Sequence, residues 1–411
     1  MNRAFREETT PRGTVARRSK RVRRLHVVLW LVVAWGIVYG LDWPRMVRFN
    51  GGLDHTFLID ALLILAPLVL PLLLSQAAFY DADRAAFTAA HGRAPVGNFL
   101  ASRAGYLAFH VRNELGLLLL PVLILLAAQD AAEWLLPEAT ESTRAGLLFA
   151  PLAALVVLAF PLLLRHLWGT HPLEPGPLRQ CLERCAHRAG LRMRDILVWE
   201  TDGMIVNAAV TGIFPQVRYV FLTDGLLAEL SEDEIEAVFA HELGHLRHRH
   251  MLLRIAAVLA PFSLGILLLQ IWPRAAEWIV TWFHWGGPTW QAPWALLALT
   301  GMGAYVLLAF GFLSRALEHQ ADLFGCRMIR TGSKTVATEI FISALEKLGK
   351  ATGGRHVRTW QHASIARRVA FLRQALESPG HARRFHRRVH LIGILIALMS
   401  FGPLGSLLAR V

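Results

Sequence analysis

Cysteine is scarce in this chain: three residues in 411, Cys181, Cys185 and Cys326, an odd number with no C-x-x-C pair. That argues against a disulfide scaffold and fits a reducing compartment. Cys181 and Cys185 share a helical face, but they read as small buried residues rather than as a second metal site. Acidic residues are also few, 30 against 43 Lys plus Arg, for a formal charge of +13. The basic excess forms no single face interleaved with aromatics, so no nucleic-acid partner is expected. It borders apolar runs instead, as membrane orientation requires. Polar surface is the third shortage. With 54% hydrophobic residues and a mean hydropathy of +0.40, the chain is too apolar for an ordinary soluble domain and reads as a multi-pass helical membrane protein.

The apolar runs predict seven spans: Leu25 to Leu41, Thr56 to Phe79, Leu115 to Ala128, Gly146 to Trp168, Leu252 to Trp272, Trp294 to Ser314 and Val389 to Ala409. Most approach the roughly 20 residues a bilayer demands. The first ends in Leu41-Asp42-Trp43-Pro44 rather than at a small-residue cleavage site, so it is expected to be a retained span and not a signal peptide. Six segments follow: a basic N-terminal tail at 1–24, four spans with loops at 25–168, a polar segment at 169–251, two spans at 252–314, a second polar segment at 315–388 and a last span at 389–411. The tail holds nine Arg or Lys and both polar segments are rich in them. Residues 129–144 are acidic, and 272–294 is Trp-rich with Arg274 as its only basic residue. By the positive-inside rule the N-terminus and both polar segments lie in the cytosol. Away from the span ends, Asp60 is the only charged group available to coordinate a solute, which argues against transport.

Within the first polar segment, 177–189 reads as helix, and 195–201, 204–213 and 218–223 read as strands. Ser231 and Glu234 form a capping box that opens a helix carrying His241-Glu242-Leu243-Gly244-His245. This is H-E-x-x-H. Histidines four apart stack on one helical face and can close on one zinc ion, while the offset Glu242 can take a proton from the nucleophilic water and pass it to a leaving amine. The helix is expected to continue into the span at Leu252, with Arg247, His248, Arg249 and His250 as a cationic surface at the headgroups.

A catalytic zinc site needs a third protein ligand. The later positions of H-E-x-x-H-x-x-G-x-x-H hold His248 and Met251 here, so that solution fails. The stretch Ser314-Arg315-Ala316-Leu317-Glu318-His319-Gln320-Ala321-Asp322 offers two carboxylates one turn apart. One can bind metal while the other accepts the free N–H of a ligand histidine. His319 is a rival ligand; Glu318 is favoured because it also gives Asp322 a part.

H-E-L-G-H, two spans, then S-R-A-L-E-H-Q-A-D resembles the integral-membrane zinc metallopeptidases of the M48 family, the group containing the CAAX prenyl proteases and the HtpX heat-shock proteases. The likeness covers roughly residues 170 to 375. It implies a zincin-like (gluzincin) α+β metallopeptidase domain, one Zn2+ per chain held by His241, His245 and Glu318, Glu242 as base, and Asp322 behind a ligand. It also implies a strand bearing Asn207-Ala208, on which an extended peptide can pair by its backbone. A histidine followed six residues later by an arginine is matched by His362 and Arg368; the histidine would donate to the developing oxyanion and the arginine would hold it. Ala363 stands where the family usually has proline. The number and order of spans depart from both named groups.

The expectation is therefore a zinc endopeptidase acting on peptide or protein substrates at the cytosolic face of a bacterial inner membrane, in quality control of membrane proteins. Two alternatives are processing of a dedicated peptide or lipidated protein, and a non-catalytic zinc sensor or receptor. A site-2 type intramembrane protease ranks lower, because the stretch from Glu232 to His250 is too charged to lie in lipid.

Overall fold

The computed structural model describes residues 11–50, 56–91, 100–135, 145–271, 300–331, 333–351 and 363–408. The expected oxyanion histidine, His362, lies outside them, as does the whole Trp-rich segment 272–294. The chain forms two compact units, one of residues 1–171 with 199–205, the other of 172–198 with 206–411.

The first unit is helical: α1 (Pro11–Trp35), α2 (Phe57–His91), α3 (Arg103–His110), α4 (Gly116–Leu135) and α5 (Ala145–Leu167), with a π turn over Val111–Leu115 joining α3 to α4. Asp130 of α4 accepts the first N–H groups of α2, from Phe57 and Leu58, at 2.6 and 2.9 Å. A carboxylate at a helix N-terminus satisfies orphan donors and meets the positive end of the dipole. Asp60 is buried and paired with Arg48 at 2.6 Å, so this acid has a structural partner.

Three helices among the described residues are long and apolar enough to cross a membrane: Phe57–Ala85, Arg103–Leu135 and Thr300–Met328. The pair Leu25–Gly40 and Trp43–Phe49, bent by 50°, makes a fourth if taken as one span. Pro151–Leu167 and His250–Gly265 are shorter apolar helices. Residues 389–408 of the expected seventh span lie in the 30-residue helix Pro379–Leu408, and Ala409 lies outside the described residues. The span expected at 115–128 is part of a longer helix, because the π turn carries it back to Arg103 without a break.

The strands are β1 (Thr170–Pro172), which straddles the boundary between the units, β2 (Asp195–Trp199), β3 (Ala208–Thr211) and β4 (Tyr219–Thr223), and in the second unit β2, β4 and β3 lie side by side in that order. β3 pairs antiparallel with β4, Ala208 opposite Leu222 and Thr211 opposite Tyr219. It stands last in the order, so among the described residues its other edge has no strand beside it. Helices α6 (Pro177–Arg188), α7 (Asp224–Glu229), α8 (Glu232–Arg247), α9 (His250–Ile271), α10 (Gly311–Met328), α11 (Lys334–Ala351), α12 (Ile365–Glu377) and α13 (Pro379–Leu408) complete the unit.

The centre of this unit is α8. One side, with Phe239, Ala240 and Leu243, joins the core formed by Leu182 and Cys185 of α6, Ile196 and Val198 of β2, and Val220 and Leu222 of β4. Burial pushes the Cys185 thiol up to about 12, as befits a core residue rather than a metal ligand. Ala237 meets a second cluster with Leu323 of α10, Phe341 of α11 and Leu372 of α12. Two glycines let the helices approach. A Cβ on Gly244 would lie 3.0 Å from the Cα of Ala321, and one on Gly325 would lie 2.6 Å from the Phe341 ring. A side chain at Gly325 would displace the ring, and one at Gly244 would press the two helices apart.

The expected continuation of α8 into the apolar helix does not occur. The helix stops at Arg247, His248 caps it, and Arg249 takes φ 55° before α9 begins at His250. One left-handed residue redirects the chain, so faces projected along a single straight helix fail beyond this point.

The capping box at Ser231 forms as expected, and Glu234 does more than cap. Its carboxylate accepts from the Ser231 N–H at 2.8 Å, the Ser343 hydroxyl at 2.7 Å and the Lys347 ammonium at 2.7 Å. Burial works against the charged form, but these donors outweigh it and hold the carboxyl down at about 2. A depressed carboxyl contributes stability that is complete above its unfolded value and is lost as pH falls through the folded one. Glu234→Ala should lower stability by about 2 kcal/mol near neutrality. In thermal melts of detergent-solubilised protein its gap from wild type should close as pH drops from about 5 towards 2; a gap independent of pH would refute this account.

Candidate metal centre

His241 and His245 stand one turn apart on α8, with their Nε2 atoms 3.1 Å from each other. Each ring is held from its other nitrogen. The Nδ1 of His241 lies 2.9 Å from the Oδ1 of Asp322, so the carboxylate keeps the proton on Nδ1 and leaves the Nε2 lone pair facing the centre. The Nδ1 of His245 lies 2.8 Å from the Nδ1 of His250, whose Nε2 is 3.1 Å from the Oε1 of Gln320. For His245 to offer Nε2, its Nδ1–H donates to His250, and His250 then donates from Nε2 to the Gln320 carbonyl. The Gln320 amide N–H in turn faces His386 Nδ1 at 3.2 Å.

The third group is Glu318, one turn before Asp322 on α10 and almost fully buried. Its Oε2 is 3.8 Å from His241 Nε2 and its Oε1 is 3.6 Å from His245 Nε2. Ligands at about 2.05 Å around a tetrahedral zinc stand about 3.3 Å apart. Separations of 3.1, 3.6 and 3.8 Å are near that value, so these three residues fit a zinc ion. They are the one such group among the described residues. Two arginines balance the acids. Arg254 of α9 reaches Glu318 Oε1 at 3.4 Å, and Arg368 of α12 holds both oxygens of Asp322 while lying 3.8 Å from Glu318 Oε2.

Burial disfavours the His241 imidazolium, but the hydrogen bond to Asp322 outweighs it and holds that histidine's pKa above the ordinary value. Burial and the neighbouring His241 drive His245 well below it.

Glu242 lines a cavity of about 590 Å³ together with both histidines, Glu318, Arg254 and Arg368. One wall is the outer edge of β3, from Val206 to Gly212. Asn207 and Ala208, expected to meet substrate, both line it. The backbone N–H of Asn207 donates to the Thr223 hydroxyl at 3.0 Å, and its carbonyl accepts the Thr223 N–H at 3.1 Å, which fixes this end of the strand.

His241, Glu242, His245, Glu318 and Asp322 therefore converge as the spacing suggested. His319, the rival ligand, turns its ring to Phe371, with centroids 4.3 Å apart. Arg368, expected to steady His362, grips Asp322.

The cationic surface expected over 247–250 is a correction. Arg247 and Arg249 are exposed, but His250 is 1% exposed and supports His245, while His248 packs against His250 and Phe324. Burial and the nearby His390 push His248 down to about 4, so it is not a cation at neutral pH. Sequence reasoning missed the parts of His250, Gln320 and Arg254. Gln320 sat inside the quoted motif, whereas His250 could be found only by knowing that the chain turns at Arg249.

Helices that enter a membrane, a small sheet and a buried His-His-Glu set define the class: a multi-pass helical membrane protein with a zincin-like α+β domain. The model for peptidase family M48 matches residues 172–376, just under half of the chain, and that segment is an M48 peptidase domain. Among curated proteins, the protease HtpX homolog of Thermoplasma acidophilum is 31% identical over 210 residues, covering 48% of this chain and 60% of that one. That of Gemmatimonas aurantiaca is 42% identical over 157 residues, covering 37% and 51%. The chain thus spans less than two thirds of the length of these relatives. A solved structure, Ste24p of S. mikatae, aligns over 77% of this chain and 76% of its own with a TM-score of 0.46 and 18% identity.

Two outcomes follow for metal binding. Asp322→Asn and His250→Ala should each weaken zinc affinity about 10- to 100-fold by freeing a ligand ring, while His319→Ala should leave it unchanged; competitive chelator titration reads this. Because the pKa of His241 is raised, a proton on it competes with the metal, so affinity should rise with pH. Calorimetry in buffers of different ionisation enthalpy should register proton release, and an affinity flat between about pH 6 and 8 would contradict the assignment.

Proposed function

We propose that this chain is a zinc-dependent endopeptidase that hydrolyses peptide bonds at the cytosolic face of a bacterial inner membrane, with one Zn2+ per chain held by His241, His245 and Glu318. The observation that carries the reading is the juxtaposition of that ligand set, the Glu242 carboxylate and the open edge of β3 in one cavity. A zinc ion held there supplies Lewis acidity, making water a better nucleophile near neutral pH and polarising a carbonyl.

The chain's own groups do the rest. Glu242 takes the proton of the attacking water and delivers it to the leaving amine. Asp322 and His250 keep the protons of the two ligand histidines on Nδ1, and Arg368 anchors Asp322. An extended peptide pairs with the free edge of β3, and the Asn207 side chain meets its carbonyls, so recognition rests on backbone more than on side chains. Such recognition suits unfolded segments and supports quality control of membrane proteins as the role. The cytosolic placement rests on the basic residues of the N-terminus and both polar segments.

The deciding experiment pairs purified wild type with Glu242→Gln, measuring zinc per chain and cleavage of casein. Both should hold one zinc, and the variant should cleave at least about 100-fold more slowly, with chelator stopping the wild type. Equal cleavage by the two would remove Glu242 from the mechanism. Zinc binding with no cleavage of any unfolded substrate by wild type would favour a sensor.

A further inference from the structure

Helix α13 lies wholly beyond the family match, which ends at residue 376. One face packs on α9: Val389, Ile392 and Ile396 join Leu253 and Ala257 in a cluster that also holds Leu313 and Leu317 of α10. The Ser400 hydroxyl donates to the Ala256 carbonyl at 2.7 Å. Another face carries Leu391, Ile394, Leu395 and Leu398, each more than half exposed. Their spacing of i, i+3, i+4 and i+7 makes a continuous apolar stripe that water would penalise. Continued backwards by four and eight residues from Leu391, the same stripe reaches Arg387 and Arg383.

Both arginines border a groove of about 620 Å³ formed by the end of α10, the start of α11, α12 and α13. Its floor is apolar, with Leu323, Ile329, Leu372 and Ala382. Its rim adds Arg327 and Lys334 to the two arginines, none of its lining residues is acidic, and its one ring is that of His386. Arg327 also touches His386, which ends the chain of contacts leading out from His245 through His250 and Gln320.

We propose that this groove binds the phosphate of an anionic phospholipid whose acyl chains lie along the exposed stripe of α13. Four cations with no acid among the lining residues match a phosphate-bearing headgroup. The dimensions agree. Arg387 to Leu398 spans eleven residues, about 16 Å of helix, against about 15 Å for one leaflet of hydrocarbon. A soluble polyanion would make no use of the stripe, and a nucleic acid would find for its bases only the His386 ring, already engaged by Arg327 and Gln320. The site is separate from the metal cavity and does not depend on whether that centre cleaves peptides.

The test uses the full chain, delipidated in detergent and then placed in nanodiscs or analysed by native mass spectrometry, with phosphatidylglycerol and phosphatidylcholine as probes. Phosphatidylglycerol should be retained in preference, and Arg383→Gln/Arg387→Gln should lose about fivefold per cation removed, on the order of 25-fold together. Arg249→Gln, on an exposed residue elsewhere, should not alter the preference, and zinc content and melting temperature establish that each variant is folded. A preference unchanged in the double variant overturns the proposal. Competition by inorganic phosphate at concentrations equal to the lipid's would also overturn it, making this a soluble-anion site. So would a dimer that dissociates in the double variant, which would assign the face to a second copy of the chain.

Discussion

The metal centre depends on how closely two helices cross. α8 supplies the histidines and α10 the carboxylates, and neither set can close on an ion unless the backbones nearly touch. Gly244 against Ala321 permits that approach: the space a Cβ would need is taken by the facing Cα at 3.0 Å. Glu318 lies one turn to one side of Ala321 and Asp322 beside it, so the contact aims both acids at the ring nitrogens together. The glycine of H-E-L-G-H thus serves the geometry of the site by letting the two backbones close up, although it touches nothing reactive.

Behind this crossing the centre is stiffened by polar contacts reaching into other elements. Asp322 ties α10 to α8 through His241 and to α12 through Arg368. His250 and Gln320 tie the start of α9 to α10 behind His245. A buried polar network of this kind is costly unless its members are paired. Here the pairing also decides which nitrogen of each ligand histidine faces the metal.

Much of this was legible in the sequence because it follows short-range rules. The capping box at Ser231, the four-residue spacing of His241 and His245, and the one-turn spacing of Glu318 and Asp322 each follow from helix geometry, and each recurs in the fold. Strands were found but overdrawn: 204–213 shrinks to Ala208–Thr211, since β-branched content marks a tendency and the ladder with β4 sets the limits. What stayed hidden depended on single backbone torsions or on long-range approach. The left-handed Arg249 turned an apparent surface histidine into a buried support. Nothing near His319 said that Phe371, some fifty residues on, would claim its ring.

The helix Thr300–Met328 runs without a break from an apolar surface to the metal centre. Its last strongly exposed large apolar side chain is Phe312, and Glu318 follows six residues later. At 1.5 Å per residue the ligand carboxylate stands about 9 Å along the axis from that point. The helix is therefore a fixed ruler between the oily surface and the metal. Under the proposed function, a substrate would have to present its target within about two helical turns of this exposed apolar surface, which would give segments flanking a membrane span an advantage of position over any part of a chain far out in solution.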